Sequence, residues 1–192
     1  SGVLRLTRLT PLSLYLSQLI AHCALGYWVI GLTLQNFLVP MTVYVVTGLG
    51  MTVCYHRLLT HRSFTTSKWI ERTMTLLTTV GLTGSSLSWT AAHRLHHRKA
   101  DKEGDPHSPL ILGFRRAQWG SMFSPISLRS SPVFGSRFHR QVHKFYMPIN
   151  LGYGLILYLI GGMWAVLHLW LVPAAILMRY SRAGVACINA SR

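Results

Sequence analysis

This chain has ten histidines, and the imidazole of histidine is the side chain that most often binds metal ions in proteins. Five of the ten lie in two short boxes, which consist of His56 and His61 and of His93, His96 and His97. Neutral imidazole binds iron, zinc and related metals, and several imidazoles can surround one cation without repelling each other. In the second box, the spacing of i, i+3 and i+4 places three rings on one helical face. We therefore predict a histidine-rich metal centre that draws on both boxes.

The two boxes differ in how well they fit a regular helix. A spacing of five, as between His56 and His61, turns the two rings well apart on an ideal α-helix. The first box therefore predicts a frayed or ending helix. Solvated surface histidines are the alternative, because a pair at this spacing arises easily by chance. The metal centre is favoured because each box follows an uncharged stretch.

Composition indicates the surroundings that must position these boxes. Half of the 192 residues are apolar and only 12% are charged, whereas an ordinary soluble domain has about a quarter charged residues. The formal net charge is +15, from 19 Lys and Arg against 4 Asp and Glu. This excess must meet anionic lipid headgroups or nucleic acid. The apolar runs favour lipid, so we predict a membrane partner and no nucleic-acid partner.

Three apolar runs are long enough to cross a bilayer, which takes about 20 residues of helix. The first two, at residues 12–34 and 37–55, contain no charged residue and predict two antiparallel spans joined by a tight turn. The third lies at residues 147–178. It predicts one span and the start of another, with a break at residues 161–162, a Gly-Gly pair, or at Pro173.

A further uncharged stretch, residues 73–92, is less suited to a span. Nine of its twenty residues are Ser or Thr, which favours a buried or interfacial segment. Lys and Arg concentrate in cytoplasmic loops. Residues 56–72 hold four of them and residues 93–144 hold ten, so we predict that both segments face the cytoplasm. A membrane span at residues 73–92 would place these two basic segments on opposite sides of the membrane.

These features together predict an all-α fold. We expect an integral membrane helical bundle with a cytoplasmic histidine-box cap at about residues 56–144, in a single domain over residues 1–192.

Three segments resemble the membrane fatty acid desaturases. They are residues 55–64 around the first box, residues 89–98 around the second, and residues 101–109, which include Asp-Pro-His-Ser-Pro. The match is best to the acyl-CoA and acyl-lipid delta-9 type related to stearoyl-CoA desaturase. It implies two non-haem irons that use O2 and two electrons to introduce a cis double bond into a saturated acyl chain. It also implies a fatty acyl-CoA or acyl-lipid substrate and, as electron donor, a ferredoxin or a b-type cytochrome.

The resemblance also implies how the ligands divide between the two irons. It assigns one iron to His56, His61 and His97, and the other to His93 and His96.

Other positions follow from the same resemblance. Trp89 corresponds to a tryptophan that lines the bend of the family's acyl tunnel, and Asn189 to an asparagine that could contact a metal-bound water. Arg98 and Lys99 could meet phosphates of the acyl carrier or belong to a basic cytoplasmic surface. His107 matches no family ligand, so we expect it to have a structural or turn role.

Two alternatives to a desaturase stay open. The family's third histidine box would lie beyond residue 192, so we expect an incomplete domain, and a truncated inactive relative is one alternative. The other is a membrane di-iron hydroxylase, which would add oxygen to its substrate. The Asp-Pro-His-Ser-Pro element favours desaturation. The style of the motifs predicts a bacterial inner membrane, with the endoplasmic reticulum as the alternative.

The remaining histidines have simpler interpretations. His22 and His168 lie in apolar runs, where we expect each to hydrogen-bond to a neighbouring helix. His139 and His143 are spaced i, i+4 and could bind metal on geometry alone, but the family places no iron there. Flanking basic residues instead predict an amphipathic segment that meets lipid headgroups.

Overall fold

A computed structural model describes residues 9–106, 108–113 and 126–179, and every regular element in these ranges is helical. The predicted all-α class is confirmed for this part of the chain. The α-helices are α1 (Leu9–Ile30), α2 (Leu34–Gly50), α3 (Lys68–Thr79), α4 (Ser86–Lys99), α5 (Pro109–Leu112), α6 (Arg137–Lys144) and α7 (Tyr146–Val166). Two π-helical stretches, Met51–His61 and Leu167–Leu171, continue α2 and α7, and a short 3-10 helix covers Leu128–Ser130.

Two helical stretches in the described ranges are long and apolar enough to cross a membrane. One is Leu34–His61, which contains the predicted span at residues 37–55. The other is Tyr146–Arg179. The boundary predicted for the first span, residues 12–34, is wrong at its end, because α1 stops at Ile30 and a new helix begins at Leu34, four residues later.

The turn after α1 has a local cause. The side chain of Thr33 accepts a hydrogen bond from the backbone N–H of Asn36 and so caps the start of α2. Among the described side chains, the apolar part of α1 is Tyr15–Ile30, which is shorter than either candidate span.

Residues 73–92, for which we predicted a buried or interfacial segment, contain the end of α3, a turn and the start of α4. These two helices have 12 and 14 residues, and serines at positions 67 and 85 cap their N-termini. Thr75, Thr78 and Thr79 are buried between elements, and their hydroxyls donate to backbone carbonyls one turn back. The hydroxyls of these three threonines are therefore hydrogen-bonded within α3 itself.

The chain reverses direction inside Tyr146–Arg179. Gly161 and Gly162 have non-helical backbone angles, so the break occurs at the predicted Gly-Gly pair. A Cβ atom added at Gly154 would collide with the indole of Trp170, although a straight helix would hold these two residues about 24 Å apart. The two arms therefore pack against each other as a helical hairpin.

The apolar helices pack against each other through small residues. Ala21, Ala24, Val172 and Ala175 are at most 7% exposed and form one core where α1 meets the second arm of the hairpin. Many large apolar side chains point outward instead; Ile30 is 88% exposed and Ile160 is 78% exposed. Such a surface is typical of helices that contact lipid.

Candidate metal centre

Four of the five predicted ligand histidines converge. The ligand atoms of His56, His61, His93 and His97 all lie within 4.8 Å of one another. The Nε2 atoms are 3.1 Å apart in the first pair and 3.0 Å apart in the second. Four nitrogens, each about 2.1 Å from one ion, would be separated by roughly 3 to 4 Å. The size and chemistry of this donor set therefore fit a transition metal such as iron or zinc.

A change of helix type brings the first box together. Residues Met51–His61 are wound as a π-helix, in which hydrogen bonds join residues five apart. The spacing of His56 and His61 thus matches the hydrogen-bond spacing of this helix, and their ring centroids are 4.5 Å apart. The prediction of an irregular helix end was right in kind, but no signal in the sequence specified this winding.

The second box uses the regular repeat of α4. His93 and His97 are one turn apart, with ring centroids separated by 4.5 Å. The end of the π-helix lies beside α4, so that His56 is 4.8 Å from His93 and His61 is 4.9 Å from His97. The cluster is therefore made of two pairs on two neighbouring helices.

The electrostatics of α4 favour neutral imidazoles. Burial, and then the neighbouring histidines, lower the pKa of His93 from its ordinary value of 6.5 to about 3. The pKa of His97 is lowered by the same two causes. Both rings are consequently uncharged at neutral pH, and an uncharged ring can offer a nitrogen lone pair to a metal.

His96, the fifth predicted ligand, lies at the edge of the cluster. Its ring centroid is 6.5 Å from that of His93 and 5.9 Å from that of His97. Its Nδ1 atom lies 2.9 Å and 3.0 Å from the two carboxylate oxygens of Asp105. The division of the five histidines between two irons stays a prediction.

Trp89 lies directly beside the cluster. Its ring stacks on His93 with a centroid distance of 4.7 Å and an interplanar angle of 18°, and it also contacts Tyr55 at 5.8 Å. The indole is half-buried. Because it stacks on His93, it covers one face of a candidate ligand. Its predicted role in an acyl tunnel stays a prediction, and both His107 and Asn189 lie outside the described residues.

His139 and His143 have a role that sequence reasoning missed. Their Nδ1 atoms lie 2.9 Å from Ser86 Oγ and 2.7 Å from Ser85 Oγ, respectively, at the N-terminus of α4. His139 is fully buried, and its Nε2 lies 3.4 Å from a carboxylate oxygen of Glu71. The expectation that this pair meets lipid headgroups is therefore wrong for His139. The two rings join α6 to the helix that carries the second box.

The two histidines in apolar runs have partners one helical turn away. The Nδ1 atoms of His22 and His168 lie 2.6 Å and 2.9 Å from carbonyl oxygens of Gln18 and Trp164. Both carbonyls lie one turn back in the same helix. Each ring therefore has a hydrogen-bond partner within its own helix, and a bond to a neighbouring helix stays a prediction.

We expect the free energy of unfolding to fall as the pH is lowered from about 7 to about 5, in part through His139 and His143. Burial is the largest cause that lowers the pKa of both histidines from 6.5. As the pH falls below 6.5, the two histidines therefore bind protons more readily in the unfolded chain than in the folded one. This stabilisation is complete above pH 6.5 and is lost as the pH falls toward the folded-state pKa values. Melting temperatures of the metal-free protein across this range would measure it.

The matched variants are His139→Asn with His143→Asn, and Gln141→Asn on the exposed side of α6. The double histidine variant should flatten the dependence of melting temperature on pH, and the glutamine variant should not change it. An unchanged slope in the double variant would contradict the expectation.

Comparison with known proteins places these motifs in a wider group. The fatty acid desaturase family model matches residues 32–189. The chain is 35% identical over 127 residues to Delta-9 acyl-lipid desaturase 2 of Arabidopsis thaliana, and the matched region covers 62% of this chain and 41% of that protein. It is 32% identical over 130 residues to sn-1 stearoyl-lipid 9-desaturase of Anabaena variabilis, and the matched region covers 65% of this chain and 48% of that protein.

A third relative is named for desaturation at position 7 instead of position 9. The palmitoyl-monogalactosyldiacylglycerol delta-7 desaturase of A. thaliana is 32% identical over 132 residues, which covers 65% of this chain and 36% of that protein. The chain spans less than half the length of each of these three relatives.

Proposed function

Because this chain belongs to the fatty acid desaturase family, we propose that the protein is an acyl-lipid desaturase that introduces a cis double bond, at the delta-9 position, into a saturated acyl chain. The observation that supports this most directly is the cluster of His56, His61, His93 and His97, whose ligand atoms lie within 4.8 Å of one another. The cluster stands beside half-buried Trp89 in a chain with long apolar helices. Two of the three relatives above are named for the same position.

The metal we propose is iron, in two ions. His56, His61 and His97 would hold one ion and His93 with His96 the other, and Asn189 would contact a metal-bound water. When bound, the irons supply the activation of O2 and the removal of hydrogen from an unactivated methylene. Two electrons from a ferredoxin or a b-type cytochrome balance the reaction, in which O2 takes four electrons and becomes two water molecules.

The residues of this chain have two further tasks in the proposed reaction. Neutral imidazoles bind a cation without a charge of their own to repel it, as the lowered pKa values of His93 and His97 favour. Trp89 covers a face of the His93 ring, where it would exclude water and hold the acyl chain. Positioning within about half an ångström decides which methylene reacts, because neighbouring methylenes are chemically alike.

The surroundings support a membrane-lipid substrate. Outward apolar side chains line the long helices, and Arg98 and Lys99 are exposed where α4 ends. We propose that these two cations meet phosphate of the acyl carrier. We also propose that the histidine end faces the cytoplasm of a bacterial inner membrane, because the basic residues concentrate around the boxes.

Expression of the complete reading frame in a host that lacks the activity tests the function. Mass spectrometry of the fatty acids should show a product that has lost two hydrogens, and chemical derivatisation should place the double bond. A product that has gained oxygen would indicate the hydroxylase instead. A protein that holds iron and receives electrons but yields no product would be the inactive relative.

Replacing Trp89 by leucine should impair the positioning of the acyl chain without loss of the bound metal. We expect Trp89→Leu to lower the rate of double-bond formation on the order of tenfold and to broaden the position of the double bond, because the acyl chain loses a rigid wall beside the ligands. Product analysis and metal content measure the two effects separately.

Trp69→Leu is the matched control, since that side chain is 74% exposed. A Trp89→Leu protein with unchanged rate and products would contradict the proposed place of the acyl chain.

A further inference from the structure

We propose that Asp105 is a positioning residue that orients His96 as a metal ligand. This inference rests on the proposed metal centre and adds a residue that the two histidine boxes do not contain.

The contact between the two side chains is close and protected. Both carboxylate oxygens of Asp105 lie within 3.0 Å of His96 Nδ1. The exposed fraction of the side chain is 0% for Asp105 and 15% for His96. A buried carboxylate is costly unless hydrogen bonds satisfy it, and the imidazole supplies such a bond. The hydrogen bond to His96 therefore satisfies a carboxylate that the fold buries.

The loop after α4 is shaped to deliver this carboxylate. The backbone N–H of Asp101 donates to a carboxylate oxygen of Asp105 at 3.0 Å, and Ser108 Oγ donates to the Asp101 carboxylate at 2.8 Å. Asp101 adopts a left-handed backbone conformation, with φ of 55°, which reverses the chain just beyond the helix. Residue 105 thus returns to a ring nine positions earlier in the sequence.

The chemistry follows from the tautomers of histidine. A neutral imidazole carries one N–H, and a carboxylate can only accept a hydrogen bond. The bond to Asp105 therefore places the proton on Nδ1 and the lone pair on Nε2. Carboxylates that hold the second nitrogen of a ligand histidine fix the direction of its ring and raise its basicity. His96 would thus offer Nε2, the atom that also faces inward in both close histidine pairs.

A double-mutant cycle tests the proposal, with Co²⁺ as the metal probe and the 192-residue chain in detergent. We expect Asp105→Asn to weaken Co²⁺ binding by about 10- to 100-fold. In a His96→Ala background the same change should have no further effect, because the carboxylate acts through that ring. Glu103→Gln, an equivalent change at an exposed position in the same loop, should leave the affinity unchanged.

Three results would overturn the proposal. They are unchanged affinity in Asp105→Asn, equal weakening with and without His96, which indicates a merely structural role, and no Co²⁺ binding by the unaltered chain. Nitrogen-15 NMR of the metal-free, unaltered chain gives a second readout that does not depend on how the variants fold. A proton on Nδ1 of His96 supports the proposal, and a proton on Nε2 overturns it.

The same data separate this proposal from the proposed function. Suppose that Co²⁺ binding depends on Asp105 only through His96, but the complete reading frame makes no unsaturated product. That result would overturn the proposed desaturase function and leave the positioning role of Asp105 in place. Unsaturated product together with an unchanged Asp105→Asn affinity would do the reverse.

Discussion

Replacing His93 by alanine should remove metal from the centre and abolish double-bond formation. The His93 ring contacts the other three, with centroids 4.5 Å from His97, 4.8 Å from His56 and 5.6 Å from His61. Its pKa is lowered to about 3, mainly by burial, so it offers an uncharged nitrogen from within the cluster. Loss of a residue that merely orients a ligand costs about 10- to 100-fold in metal affinity, so loss of a ligand should cost more than about 100-fold.

Arg94→Ala is the matched control, because Arg94 is the next residue of α4 and is exposed. It should retain full metal content and activity. Metal per chain, measured by mass spectrometry of the purified protein, and fatty acid analysis of expressing cells provide the two readouts. A His93→Ala protein with full metal content would refute the four-histidine centre, whatever its activity.

Replacing Gly162 by valine should destabilise the hairpin between the two arms of Tyr146–Arg179. Gly162 has φ of 61° and ψ of −155°, a conformation that is essentially restricted to glycine and that costs other residues about 1–3 kcal/mol. The reversal at this residue lets Trp170 pack on Gly154 and donate a hydrogen bond to the Val80 carbonyl at 2.8 Å. Opening the turn would therefore loosen the support between the hairpin and the turn that precedes α4.

Gly152→Ala is the control for the glycine change. It lies in the first arm of the same hairpin, where an added Cβ atom would meet nothing within 4 Å. Alanine is favoured over glycine in a helix by about 1 kcal/mol, so this variant should be as stable as the unaltered protein or slightly more so. Thermal unfolding in detergent compares them, and equal melting temperatures for Gly162→Val and the unaltered protein would contradict the expectation.

Much of the fold followed from local patterns. The uncharged runs predicted where long helices lie, and the Gly-Gly pair at residues 161–162 marked the reversal that the structure contains. The end of the first span was misplaced because Thr33 caps a new helix inside an apolar run, where hydropathy alone shows no boundary. Hydropathy averages over a window, whereas a cap is a single hydrogen bond.

The candidate site divides in a similar way. Box spacing identified all four histidines that converge, but it could not show that the first pair lies on a π-helix or that the two pairs face each other. It also missed the bond between His96 and Asp105 and the link of His139 to Ser86, residues that lie 9 and 53 positions apart. Such pairs meet only through the path of the chain between them.

Single residues and their near neighbours were therefore enough to predict long apolar helices, the all-α class and a histidine cluster that could hold a metal ion, because hydropathy and residue spacing are local properties. The packing of the helices showed which rings converge and that the two arms on either side of residues 161–162 fold back onto each other. Distances of that kind depend on contacts between segments that lie far apart along the chain, and local spacing does not encode those contacts.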